Sequence, residues 1–138
     1  MTVLAYTDGA ARGNPGESGI GVILKDEHGG TLTKLYGYIG EATNNVAEYQ
    51  ALLACLKSAA KTNCSRLIVH SDSELMVRQL LGEYKVKDPN LKTMVLKVHR
   101  LLEKAGFDFE IKHVSRELNK EADRLANLGI DSRKRLRI

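Results

Sequence analysis

The chain has 138 residues, a length suited to one domain; 43% are hydrophobic and 28% charged, enough for a packed core and a soluble surface. No apolar run reaches the roughly 18 residues of a membrane span. The formal charge of +4 and pI near 9.1 favour a polyanionic partner, and the absence of Trp argues against base stacking as the main way of binding it.

Val3 to Thr7 reads as a strand ended by the turn pair Asp8-Gly9, and Gly13-Asn14-Pro15-Gly16 continues the loop. Gly19 to Leu24 is a second strand, Lys25 to Gly30 a polar hairpin turn and Thr31 to Ile39 a third strand, so the first three strands form an antiparallel meander. The period then changes. Asn45 to Ala60 carries a broad helical apolar face. Ser65 to His70 is a short buried strand, Ser73 to Leu81 a helix stopped by Gly82, and Pro89 to Ala105 a helix ended by Gly106. Phe107 to Val114 alternates as a strand, and Leu118-Asn119 caps a last helix running to about Leu128. The order βββαβααβα specifies an α/β domain with a mixed sheet and helices on its faces. The expected division is a domain over residues 1–130 and a basic tail over 131–138, which holds Arg133, Lys134, Arg135 and Arg137.

The start of the chain lacks the basic region and long apolar stretch of a signal peptide, so a cytoplasmic location is expected. Cys55 falls in a helix and Cys64 in the loop after it; a cytosolic setting disfavours a bridge between them. No Cys/His spacing suits zinc.

Four carboxylates carry the functional signal: Asp8, Glu48, Asp72 and Asp123. Each has an ordinary explanation. Asp8 suits a turn, Glu48 a capping box with Asn45, Asp72 a helix N-cap, and Asp123 a solvated helix face. Yet Asp8 and Asp72 both fall at or just past the end of an expected strand, positions that cluster at one edge of an α/β sheet. Glu48 and Asp123 fall early in their helices. Four acids meeting at that edge repel unless divalent cations lie between them. All-oxygen ligands favour Mg²⁺ or Mn²⁺ over zinc. Two such ions about 3.5–4 Å apart activate a water and stabilise the leaving oxygen of a phosphodiester.

These segments resemble the type 1 ribonucleases H. Thr7-Asp8-Gly9, Arg12 to Gly16 and Gly19 to Val22 are similar to that family's opening, and Thr43-Asn44-Asn45-Val46-Ala47-Glu48 to its second motif. Ser71-Asp72-Ser73 and Asn119 to Ala126 are similar to the third and fourth. The resemblance runs from about Val3 to Asn127. It implies the ribonuclease H-like fold, a five-stranded mixed sheet whose first three strands are antiparallel. It also implies endonucleolytic hydrolysis of the RNA strand of RNA–DNA hybrids, leaving 3′-hydroxyl and 5′-phosphate ends. On this resemblance Asp8 bridges two metal ions, Glu48 and Asp72 complete one site and Asp123 the other. Asn14, Asn44 and Asn45 would reach the RNA strand's minor-groove face, and Thr43 would help hold a DNA phosphate.

Two departures from the family pattern stand out. Larger members carry a basic protrusion between the third and fourth motifs; here Gly82 to Pro89 is a short connector, with Lys85 and Lys87 as candidate phosphate contacts. Many members also place a mobile His before the last Asp. His113 lies at the end of the expected last strand instead, so this chain resembles short, archaeal-like members without the loop His. Arg116 and Glu117 are the candidates to fill part of its role. A monomer is expected. Double-stranded RNA is the alternative substrate, a non-catalytic hybrid-binding module the alternative from another class, and a small metal-dependent phosphatase the third reading.

Overall fold

The computed structural model describes residues 1–136. Five strands form one sheet: β1 (Thr2–Gly13), β2 (Gly16–Lys25), β3 (Thr31–Ala42), β4 (Arg66–Ser71) and β5 (Asp108–His113). Four helices accompany them: α1 (Asn44–Ala59), α2 (Glu74–Leu80), α3 (Pro89–Lys104) and α4 (Lys120–Ser132). A 3₁₀ turn at Arg116–Asn119 leads into α4. The sheet order is β3-β2-β1-β4-β5, antiparallel from β1 to β3 and parallel from β1 through β4 to β5. The expected α/β order and mixed sheet are therefore present. Among the described residues no helix is long and apolar enough to cross a membrane.

The helices start where local chemistry supplies acceptors for their free N–H groups. Thr43 Oγ1 accepts from Val46 N, Ser73 Oγ from Met76 N, and Asp88 Oδ1 from both Asn90 N and Leu91 N. These bonds correct three expectations. Glu48 forms no capping box with Asn45, because Thr43 is the cap and the Glu48 carboxylate turns to β1. Asp72 caps nothing, because Ser73 does so. Asn119 makes no cap bond with its side chain; its Nδ2 donates instead to the Thr7 carbonyl, at 2.9 Å, across to β1.

One face of the sheet carries α1, and α3 packs on its far side. Eleven of the sixteen α1 residues are buried, as a helix held between a sheet and another helix requires. The other face carries α4, which lies against β2 and β3. It comes unusually close because Gly19 and Gly21 share one face of β2: a Cβ at Gly21 would sit 2.4 Å from the Ala122 carbonyl oxygen, and one at Gly19 would sit 2.4 Å from that of Ala126.

Strand β1 is longer than its pattern suggests. Asp8-Gly9 is not a turn: Asp8 pairs with Gly21 and Gly9 with Ile20 inside a continuous ladder. The chain reverses only at Gly13–Gly16. The parallel ladder with β4 stops at Thr7↔Ser71, so Asp8 is the first β1 residue beyond its β4 neighbour. Asp72 follows the end of β4 as expected. Both carboxylates thus reach the same sheet edge, Asp8 from mid-strand.

After α4 the backbone takes a left-handed step at Arg133 (φ 52°) and runs along β3. Tyr38 N donates to the Lys134 carbonyl at 2.8 Å, Leu136 packs over Gly37, and Arg133 pairs with Glu17 at 2.6 Å. Both Arg133 and Arg135 set their guanidinium groups over the Tyr38 ring. The remaining basic residue of the expected tail, Arg137, lies outside the described residues. Cys55 and Cys64 are both free thiols.

Candidate active site

At the edge where β4 ends, an open cleft of about 490 Å³ is lined by Asp8, Glu48, Asp72 and Asp123, together with Arg12, Asn44, Arg116 and Asn127. β1 supplies Asp8, the first turns of α1 supply Glu48, the step after β4 supplies Asp72, and α4 supplies Asp123. Carboxylate oxygens of Asp8, Glu48 and Asp72 lie within 4.8 Å of one another. Asp123 borders the same cleft and is about one-third exposed.

The cluster is held from beneath. Gly9 N donates to Glu48 Oε1 at 2.7 Å in a buried bond, tying α1 to the residue after Asp8. Close approach makes this bond possible, since Gly9 leaves no room for a Cβ against the backbone of Ala47 and Glu48. The buried Asn119 bond to Thr7 fixes the start of α4 to β1 in the same way. Together they set Asp123 and Glu48 against Asp8 from two different helices.

Other side chains frame the rim. Asn44 Oδ1 accepts from Ala11 N, and Asn14 Oδ1 accepts from Asn44 N, each at 3.1 Å. Thr43 stands just before them as the α1 cap. Asn127 Nδ2 donates to the Asp123 carbonyl at 3.1 Å and lies 3.4 Å from Asp123 Oδ1. Arg12 pairs with Asp131 at 2.7 Å and reaches Asn127. Arg116 lines the cleft, 4.0 Å from Asp123, on a side chain that is 80% exposed. Asn45 is exposed in the first turn of α1, and Glu117 is exposed outside the cleft lining. Lys85 and Lys87 are exposed in the connector between α2 and α3, also outside that lining.

The histidines are elsewhere. His113 is exposed at the end of β5. His70 stacks on Tyr6 with ring centroids 4.5 Å apart, its Nδ1 2.9 Å from the Ala5 carbonyl oxygen, so its role is structural. Asn127 and Arg12 also line the cleft, beyond the site residues that the sequence motifs mark. Asn127 was findable, because it lies four residues after Asp123 and therefore on the same helix face. Arg12 was not, because its place depends on β1 continuing past Asp8.

Burial, then the Glu48 and Asp72 charges, push the Asp8 carboxyl up to about 10. Burial pushes Glu48 up to about 8, with the Gly9 N–H pulling the other way. A group in this state is a poor fit to bare solvent and a good fit to a divalent cation, which lowers the cost of the charged form. The sign of the stability effect follows. Both folded values exceed the ordinary ones of 3.8 and 4.5, so the folded protein keeps protons that the unfolded chain releases. The cluster's contribution is therefore greatest in acid and is lost as pH rises from about 4 through the folded values. We expect the urea midpoint of the metal-free protein to be lower at pH 8.5 than at pH 5.5. Mg²⁺ or Mn²⁺ should raise it more at the higher pH. A midpoint indifferent to both pH and metal would contradict this account of the cluster.

Comparison with known proteins agrees with this geometry. A family described as "Reverse transcriptase-like" matches residues 6–129. Over 130 residues, 94% of this chain, the sequence is 42% identical to the Ribonuclease HI of Halobacterium salinarum. It spans 64% of that protein's own length, and only 36% of some other curated relatives. The crystal structure of RNase H1 from Halobacterium salinarum superposes with a TM-score of 0.91 at 41% identity, covering 96% of this chain and 99% of that one. LC11-RNase H1, solved in complex with an RNA/DNA hybrid, superposes at 0.89 with 45% identity, covering 94% of this chain and 97% of its own. Identity at this level over nearly the full length of both solved chains, with one sheet topology throughout, means that this protein belongs to the type 1 ribonuclease H family, as a short member with only a brief connector where larger members carry the basic protrusion.

Proposed function

We propose that the protein hydrolyses the RNA strand of RNA–DNA hybrids, leaving 3′-hydroxyl and 5′-phosphate ends, with two divalent ions, Mg²⁺ or Mn²⁺, held by Asp8, Glu48, Asp72 and Asp123. The observation that carries this reading is the convergence of Asp8, Glu48 and Asp72 oxygens within 4.8 Å in a cleft open to a polymer. An all-carboxylate donor set suits hard divalent cations. When bound, such ions supply water activation and charge neutralisation at the leaving oxygen.

The chain's own groups hold and orient. Gly9 N–H fixes the Glu48 carboxylate, and Asn127 steadies Asp123. Arg116 offers an exposed positive charge at the rim beside Asp123, which suits an auxiliary role toward phosphate. Asn14 and Asn44 spend their Oδ1 atoms on the backbone, and among the described residues neither Nδ2 has a partner. Each amide therefore keeps donors for a 2′-hydroxyl or a minor-groove base edge, groups that distinguish RNA without reading sequence. Thr43 Oγ1 accepts from Val46 N, which leaves its hydroxyl proton for a phosphate oxygen of the DNA strand. Lys85 and Lys87 are left as longer-range phosphate contacts from the connector.

The test is cleavage of an end-labelled RNA–DNA hybrid by the purified protein with Mg²⁺, Mn²⁺ or EDTA, beside matched double-stranded RNA and DNA. Metal-dependent cutting of the hybrid's RNA strand is expected. Metal-dependent cutting of double-stranded RNA at a comparable rate would widen the substrate. Binding of hybrid with no cutting by folded, metal-supplied protein would replace the enzyme with a binding module.

A further inference from the structure

We propose that Arg12 is a positioning residue of the active site: its guanidinium grips Asp131 and Asn127 on α4 and, through the Asn127 amide, orients the Asp123 carboxylate toward a divalent ion. This role presupposes the metal-dependent cleavage proposed for the cleft. Asp123, Asn127 and Asp131 follow one another at four-residue spacing, so they form one stripe along α4. Arg12 reaches that stripe from the far end of β1, four residues beyond Asp8. Its Nη1 donates to Asp131 Oδ1 at 2.7 Å. Its Nη2 lies 3.4 Å from both the carbonyl oxygen and Oδ1 of Asn127.

The chemistry of these groups fixes the direction of the amide. A guanidinium carries only donors, so it can face only the oxygen end of Asn127. That turns Nδ2 to Asp123, where it donates to the carbonyl at 3.1 Å and lies 3.4 Å from Oδ1. The opposite orientation would set Asn127 Oδ1 against a carboxylate oxygen, acceptor against acceptor. Among the described residues Arg12 is the only group that reaches Asn127 Oδ1, so it is Arg12 that selects the orientation.

The surroundings keep Arg12 on α4. In the ladder it lies opposite Glu17 of β2, an acid that could compete for it. Arg133 pairs with Glu17 at 2.6 Å instead. Stability alone is a weak reason for the contact. The Arg12 and Asp131 side chains are 47% and 61% exposed, and ion pairs in that setting contribute little. A direct phosphate contact is the poorer reading, because both Nη atoms are already engaged on α4.

The experiment compares the full chain with Arg12→Ala, Arg12→Lys, Asn127→Ala and the double variant Arg12→Ala with Asn127→Ala. Arg66→Ala, which removes an exposed ion pair with Glu110, is the control. Mn²⁺ binding is measured by calorimetry without nucleic acid, and kcat and KM on the hybrid with Mn²⁺. Partners of metal ligands cost about 10–100-fold in affinity or activity when removed. Asn127→Ala should therefore weaken Mn²⁺ binding about tenfold, and Arg12→Ala, one contact further out, about three- to tenfold. The fall in kcat should follow the metal affinity, with KM within about twofold of the parent. Arg12→Lys should behave as Arg12→Ala, because one ammonium cannot span Asp131 and Asn127 together. In the Asn127→Ala background, Arg12→Ala should add less than about twofold. Arg66→Ala should match the parent. Unchanged Mn²⁺ affinity in Arg12→Ala would overturn the proposal, as would a full further loss in the Asn127→Ala background. A raised KM that Arg12→Lys restores would make Arg12 a phosphate contact instead. A parent that binds Mn²⁺ but cuts no hybrid would remove the hydrolase reading, and the Mn²⁺ affinities would still decide the role of Arg12.

Discussion

Asp8→Asn is expected to leave a folded protein that has lost more than about 100-fold of its hybrid-cleaving rate. Even outer partners of metal ligands cost 10–100-fold when removed, and Asp8 stands inside the carboxylate cluster with only 5% of its surface exposed. A loss of about 100-fold corresponds to about 2.7 kcal/mol of transition-state stabilisation. The stability should move in the opposite direction. The amide is nearly isosteric, and it abolishes the cost of folding with Asp8 protonated, a state that burial and the Glu48 and Asp72 charges impose on the metal-free protein at neutral pH. In EDTA the variant should therefore unfold at a higher urea concentration than the parent at neutral pH. Single-turnover cleavage with Mg²⁺ or Mn²⁺ and urea titration in EDTA together check the pair of signs. Substantial metal-dependent activity would remove Asp8 from the reaction, and a lower midpoint would make it a structural residue.

Gly9→Ala is expected to be strongly destabilising and to break the support of the site. The new Cβ would lie 2.2 Å from the Ala47 carbonyl carbon, 2.3 Å from its oxygen and 2.4 Å from Glu48 N. All three are backbone atoms, so no rotamer change relieves the contact. Either α1 lifts from β1 or the strand bends, and in both cases the bond from Gly9 N to Glu48 is lost. Overpacking usually costs 1–3 kcal/mol and occasionally more; this geometry places the loss at about 3 kcal/mol or above. Gly106→Ala is the control, because nothing lies within 4 Å of its Cβ position. It should stay within about 0.5 kcal/mol of the parent. An unfolding free energy for Gly9→Ala equally close to the parent would refute the contact.

Local pattern carries much of this fold. Alternation at Thr31 to Ile39 and the helical spacing of Leu91, Val95, Val98 and Leu102 are properties of a short window, and both elements start where that window places them, although β3 runs on to Ala42. Punctuation is similarly local: Gly82 and Gly106 follow α2 and α3, and Pro89 opens α3 beside its Asp88 cap. Element ends fared worse where a distant partner decides them. Asp8-Gly9 is a turn pair in isolation, but here the glycine answers the approach of α1, and the strand runs on because β2 pairs with it to Gly13. Likewise Asn119 sits where a helix cap is wanted and instead spends its amide on Thr7, 112 residues earlier in the chain.

The sequence by itself determined the element order and the α/β class, and it marked the four carboxylates that line the cleft, because hydrophobic period and residue type are written in consecutive residues. It did not determine how those carboxylates meet. That depends on a parallel ladder ending at Thr7↔Ser71, on Gly9 admitting α1, and on Gly19 and Gly21 admitting α4. Each is a contact between segments far apart in the chain, where the fit of backbone against backbone, rather than any local preference, selects the glycine. The framing of the cleft by Asn127 and Arg12 is decided in the same way. Only the packing of whole elements brings those side chains to one place.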